Sequence, residues 1–264
     1  MANIAMAALE AALRTRKLDR TLTTSLPDPA REATWATLAT GIAAIDARLG
    51  GGLPRGHLSD LVGPASSGRT TMLLHLLAAA TGRGELAALI DPFDRLDVPS
   101  AVEAGVDLSR LLWVRGDAPS RLDDERTIGR ALKAIGLVLQ ARGFACVVID
   151  LADVPVAAFQ RLPYTTWLRL QRLVEGSDTA CLVLTPRPVA RSAGGVTVAL
   201  AATMQWDGED LRRQQLTGAD VTVRVVSPRR QMQGALGVRV HAAGFAPAFD
   251  GAVVEDGARW AVGE

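Results

Sequence analysis

GPASSGRTT, residues 63–71, is the stretch whose reading decides the fold. It follows the phosphate-cradling pattern G-x-x-x-x-G-K-[ST], with Arg69 where the pattern has lysine. HLSDLV (57–62) ahead of it reads as a short strand, and Thr70 to Ala80 behind it as an apolar helix. Gly63 and Gly68 let the backbone turn so that its N–H groups point inward. The helix start adds the positive end of a dipole. The pattern therefore assigns Gly63, Pro64, Ala65, Ser66, Ser67, Gly68, Arg69, Thr70 and Thr71 to the phosphates of a nucleotide. A plain Gly/Ser turn before a helix is the competing reading, and the order strand, loop, helix disfavours it.

Outward from this loop the chain alternates short apolar runs with helical patterns. LAALI (86–90), Leu111 to Val114, CVVI (146–149) and Cys181 to Leu184 read as strands, the last two as fully buried parallel ones. Val98 to Ala104, Asp123 to Arg142 and Thr165 to Glu175 read as helices. Ile128, Leu132, Ile135 and Leu139 share one face of the second, which Asp123, Asp124 and Glu125 open with charges that suit a helix start. After Arg191 the pattern turns to consecutive strands at 196–206, 221–226 and 237–241, with turns at Asp207-Gly208 and Ser227-Pro228. The expectation is an α/β fold: a mostly parallel central sheet flanked by helices, with a β-rich C-terminal extension. Residues 1–39 are expected to form a helix over 4–18 and a Thr/Ser/Pro-rich linker, 40–245 the core, and 246–264 a tail.

Composition narrows the function classes. The chain has 264 residues, a formal net charge of +1 and 48% hydrophobic residues. Near-neutrality means that any contact with nucleic acid must come from local patches. Lys17 and Lys133 are the two lysines, so the basic residues are almost all arginine. Cys146 and Cys181 lie in separate apolar runs without metal-ligand spacing and read as reduced core residues. His57, His75 and His241 stand apart from any second ligand and read as structural. Trp113, Trp167 and Trp206 read as core, whereas Trp35 and Trp260 fall on segments where an aromatic can anchor a partner. With no apolar run of membrane-spanning length and no secretion pattern, a soluble cytoplasmic protein is expected.

The stretch from Thr40 to Thr71, TGIAAIDARLGGGLPRGHLSDLVGPASSGRTT, resembles the bacterial RecA recombinases in order and spacing. The likeness continues through LIDPFDRLDVPSAVEAGVDLSRLL (89–112), FACVVIDLADVP (144–155) and TACLVLTPRPVARSAGG (179–195). It implies a RecA-like P-loop core with ATP and Mg²⁺ as cofactors, the metal held by Thr70 and Asp150. It also implies two single-stranded-DNA loops, shortened here to about Val154–Tyr164 in the first case and Pro186–Thr197 in the second. The second carries Arg187, Arg191, Gly194 and Gly195. The helix at 4–18, with Ile4, Leu9 and Leu13 on its apolar face, matches the RecA helix that packs on a neighbouring protomer. Trp260 is a further candidate for partner contact.

The departures fall where hydrolysis is carried out. Phe93 stands at the position of the glutamate that activates water in the recombinases, so no catalytic residue is assigned there. Arg69 replaces the phosphate lysine, Ser100 the aromatic that stacks on adenine, and Pro186 the polar sensor of the γ-phosphate. This combination, with Walker A reading S-G-R-T, is similar to the ImuA family. Such proteins are implied to act in SOS mutagenesis and translesion synthesis. Their implied partners are RecA, an ImuB-like inactive Y-family polymerase homologue, and an error-prone polymerase. The reading leans against an enzyme: a degenerate ATPase that binds ATP and Mg²⁺ weakly and acts through partners. An active DNA-dependent ATPase using a displaced carboxylate, Asp91 or Asp94, stays open beside it, as does a nucleotide-gated switch.

Overall fold

The protein is described by a computed structural model covering residues 36–116, 124–163, 165–190, 194–207, 215–226, 236–241 and 248–252. The expectations for the helix at 4–18, including Ile4, Leu9 and Leu13, and for Trp35, Arg191 and Trp260, lie outside these residues.

The strands are β1 (Thr37–Leu38), β2 (Leu53–Pro54), β3 (His57–Val62), β4 (Ala87–Asp91), β5 (Leu111–Arg115), β6 (Cys146–Asp150) and β7 (Ala180–Thr185), then β8 (Thr197–Asp207), β9 (Gln215–Val226), β10 (Leu236–His241) and β11 (Ala248–Ala252). Helices α1 (Ala43–Leu49), α2 (Arg69–Gly82), α3 (Val98–Glu103), α4 (Asp124–Ala141), α5 (Val156–Gln160) and α6 (Thr165–Val174) alternate with them. β3 to β11 form one sheet in the order β11-β10-β9-β8-β3-β7-β6-β4-β5. Pairing is parallel from β8 through β3, β7, β6 and β4 to β5, and antiparallel from β8 through β9 and β10 to β11.

Alternation within the buried strands builds two cores. Ala87, Leu89, Cys146, Val148, Leu182 and Leu184 face the layer of α1 to α3. Ala88, Ile90, Val147, Ile149, Cys181 and Val183 face the layer of α4 to α6. A strand buried on both faces has no polar alternation, which is why these segments read as unbroken apolar runs. Cys146 and Cys181 point to opposite layers and are both free thiols. On α4, Ile128, Ile135 and Leu139 are buried, as the helical spacing requires.

Three features depart from the sequence expectations. β11 lies in the segment read as a tail; APAFDGA carries Pro, Gly and one aromatic, so its strand state comes from pairing with β10 rather than from its own pattern. The two-residue strands β1 and β2 pair ahead of β3, drawing Thr37 and Leu38 into the core unit. Trp206 is 57% exposed rather than core. A register irregularity at Gln205/Trp206 carries this end of β8 past the buried part of its pairing with β9.

Register decides what meets at the edge of the sheet. Val62 lies opposite Thr185, Asp150 opposite Leu184, and Ile90 opposite Ile149. The carboxyl ends of β3, β4, β6 and β7 therefore share one edge, the place where open α/β sheets bind ligands.

Candidate nucleotide site

The loop 63–68 leaves β3 at this edge and enters α2, with Gly68 in left-handed conformation (φ 91°, ψ 8°) just ahead of the helix. Ser66 is also left-handed at φ 60°. Gly63 is needed for a different reason: a Cβ there would collide with Ser67 Oγ and the Leu200 carbonyl oxygen. The loop thus packs on its own side chain and on β8, and no larger residue fits. Pro64, Ala65, Ser66 and Thr70 are exposed, whereas Ser67 and Arg69 are buried.

Ser67 Oγ and Arg69 Nη1 are buried without hydrogen-bond partners among the described residues. Burial holds the Arg69 guanidinium below its usual pKa, against the carboxylates of Asp150 and Asp153, which favour its charge. Burial also pushes Asp150 up to about 6. The Ala152 N–H, 2.9 Å from Asp150 Oδ1, opposes that rise, Asp91 adds to it, Arg69 lowers it and Asp153 adds to it. The arrangement is a helix N-terminus with a buried cation beside it, which suits an anion with several oxygens.

Magnesium prefers near-octahedral coordination by oxygen. The loop offers the exposed Thr70 hydroxyl and one further oxygen of Asp150, and Arg69 already sets a positive charge within electrostatic reach of that carboxylate. Among the described residues no group of three or more His, Cys, Asp or Glu side chains could hold a metal. Thr70 and Asp150 supply at most two oxygens here, so a magnesium ion would take the rest of its ligands from nucleotide phosphates and water.

At the end of β4 the residues around the expected base position are committed to structure. Phe93 packs on the core beneath α4 to α6. Asp91 is buried, and its two oxygens accept the N–H of Arg95 (2.9 Å), the N–H of Leu96 (2.9 Å) and Nε1–H of Trp113 (3.2 Å). Asp94 takes both arms of Arg115, at 2.8 and 2.7 Å, and that hydrogen-bonded pairing holds its carboxyl below the usual range. Arg115 in turn lies 4.3 Å from the centroid of the Trp113 ring. Arg95 pairs with Asp153 at 2.7 Å. At the position expected to stack adenine, Ser100 donates its N–H and hydroxyl to Asp97, the cap of α3.

Of the expected DNA-contact residues, Arg187, Gly194 and Gly195 are described. Arg187 is exposed. Gly194 and Gly195 are buried, and a Cβ on Gly194 would strike the His57 ring. The stretch 154–164 expected as a loop contains α5.

Sequence reasoning missed Asp60, a 2% exposed carboxylate in the middle of β3. It accepts the N–H groups of Val189 (3.3 Å) and Ala190 (3.1 Å) and the Thr197 hydroxyl (3.4 Å), tying β3 to the chain on either side of 191–193. Burial pushes its pKa up to about 6, and those hydrogen bonds pull the other way. A single acidic residue inside an otherwise buried strand was the available signal. The opposite edge of the sheet holds a cavity of about 460 Å³ bordered by Arg55, Glu85, Arg142, Phe144 and Asp178. Arg55 is already held there by Glu85 and the carbonyls of Thr37 and Asp178.

Fold and loop together define an α/β protein with a glycine-bounded loop between β3 and α2 at the carboxyl edge of its sheet. A family model for the RecA N-terminal domain matches residues 8–158, more than half of the chain. The chain belongs to that family. The RecA proteins of Synechococcus elongatus, Rubrobacter xylanophilus and Clavibacter michiganensis are 36%, 38% and 39% identical over 114, 116 and 116 residues. Those stretches cover 43–44% of this chain and 30–31% of the relatives, so the chain spans under a third of the length of the curated relatives it matches. No described helix is long and apolar enough to cross a membrane.

Proposed function

We propose that this RecA-family chain binds a nucleotide at residues 63–71 without hydrolysing it efficiently. It serves DNA-damage tolerance as an accessory protein, in the manner of the ImuA family it resembles. The observation that carries this reading is the commitment of every residue around the base position. Phe93 has no proton-accepting group, Asp91 holds three donors, and Asp94 is clamped by Arg115. Losing a positioned general base forfeits about 10²–10⁴-fold in rate. A displaced carboxylate would have to leave those partners first.

Work without turnover means work by binding. The helix at 4–18 and the core would present a RecA-type protomer face to RecA, to an ImuB-like partner, or to both, bringing an error-prone polymerase to a lesion. Contact with single-stranded DNA would fall to Arg187 and Arg191. The test is ATP turnover by the purified protein, with and without single-stranded DNA, alongside Asp94→Ala and Asp150→Ala. Background turnover in all of them is expected. DNA-stimulated turnover abolished by either substitution would make the chain a working recombinase-type ATPase. Deleting residues 1–30 should abolish capture of RecA while leaving the melting transition of the core in place; unaltered capture would remove that surface from the mechanism.

A further inference from the structure

Ser67 Oγ and Arg69 Nη1 are both buried and unpartnered among the described residues, on side chains at least nine-tenths buried. An unpaired N–H on a buried guanidinium is more costly than an unpaired neutral donor. Ser67 and Arg69 lie on either side of Gly68, where the 14-residue α2 begins and its first-turn N–H groups have no intrahelical acceptor. The two carboxylates within electrostatic reach of Arg69 do not pair with it directly. Asp150 accepts the Ala152 N–H, and Asp153 is paired with Arg95. The loop therefore holds two buried donors without an acceptor and, in Arg69, a fixed cation.

Among the described residues, the aromatic and Ser100 positions at this edge are not free as a platform for a base. Phe93 packs into the core beneath α4 to α6; Trp113 packs on the other core and carries Arg115 over its ring. Ser100 is consumed by the Asp97 cap.

We propose that the loop reads the phosphate chain of a nucleotide directly, with the Arg69 guanidinium in the part a divalent cation takes elsewhere, so that binding needs neither metal nor a particular base. This rests on the nucleotide-binding reading above. An ammonium is a strongly hydrated point charge, whereas a guanidinium offers a planar fork that matches two phosphate oxygens at once. Arg69 thus supplies both the counter-charge and the geometry.

Isothermal titration of the full chain with ATP, GTP and inorganic tripolyphosphate, each with magnesium and with a chelator, separates the outcomes. All three ligands should bind with affinities within about threefold of one another, and the chelator should change none of them by more than that. Arg69→Lys should lose about tenfold in chelator and regain it with magnesium, because lysine restores the point charge but not the fork. A wild-type protein that needs magnesium for about tenfold or more of its affinity overturns the proposal and leaves nucleotide binding standing. Binding of ATP but not of tripolyphosphate overturns it too. Absence of binding by all three ligands in both conditions overturns the proposal together with the reading beneath it. The wild-type comparison decides the matter even if Arg69→Lys fails to fold.

Discussion

Replacing Asp60 by asparagine should stabilise the protein at neutral pH. The carboxylate is 2% exposed and its partners are the N–H groups of Val189 and Ala190 and the Thr197 hydroxyl, with no cation among them. Burial outweighs those hydrogen bonds, and the pKa rises from 3.8 to about 6. The folded protein thus holds this proton more tightly than the unfolded chain does. The stability it contributes is complete below about pH 4 and is lost as pH climbs through about 6, a total of about 3 kcal/mol. Asparagine stays neutral throughout, keeps Oδ1 for the two N–H groups and can turn Nδ2 toward Thr197. Urea denaturation followed by tryptophan fluorescence, run from about pH 4 to about pH 8, gives the comparison directly. The Asp60→Asn variant should exceed the wild type by up to about 3 kcal/mol at about pH 7.5 and by under about 1 kcal/mol at about pH 4. Asp150, also raised to about 6, is present in both proteins and cancels in the difference. A variant weaker than wild type at neutral pH, or a gap that does not close on acidification, would refute the reasoning.

Asp91 should behave in the opposite way. Asp91→Ala strands the N–H groups of Arg95 and Leu96 and the Trp113 indole N–H, so a loss of about 3 kcal/mol or more is expected in the same denaturation assay. A loss within about 0.5 kcal/mol would show that those donors find water. The two thiols should resist labelling. Burial pushes Cys146 up to about 12 and Cys181 higher still, so neither should react with an aromatic disulfide reagent at about pH 8 until guanidinium chloride unfolds the chain. Rapid reaction of either thiol in the native protein would contradict the buried strands.

How far the fold could be read from the chain depended on whether an element carries its own signal. β4, β6 and β7 are buried on both faces and appear as unbroken apolar runs, while α4 repeats its apolar residues at helical spacing. β1, β2 and β11 have no such signature, because a two-residue strand or a Gly-containing one takes its state from the partner it meets. Trp206 misled for a related reason: strand alternation does not reveal a register irregularity at its own position. At the site, the loop pattern located the turn between β3 and α2, but the pairings of Asp91, Asp94 and Arg95 depend on separate strands ending at one edge. Asp60 was visible as an acid in an apolar strand, yet its acceptor role needed residues 189–197 brought to β3.

The charges at the carboxyl edge also bear on how tightly a nucleotide could be held. Arg69, Arg95 and Arg115 stand there against Asp91, Asp94, Asp150 and Asp153, and the exposed pairs Arg95–Asp153 and Arg115–Asp94 take two arginines out of play. Among the described residues, a polyphosphate at the loop therefore meets the one buried cation, Arg69, against the carboxylates of Asp91 and Asp150. Helix-terminus attraction, of the order of 1 kcal/mol, does not by itself overcome those carboxylates. Retention of positive charge at residue 69 follows: the loop backbone can shape a phosphate site without a lysine, but an uncharged side chain there would leave the neighbouring carboxylates to repel the ligand. Arginine keeps the charge while replacing a compact ammonium with a bulkier planar group. Those two properties together favour weak binding without efficient chemistry.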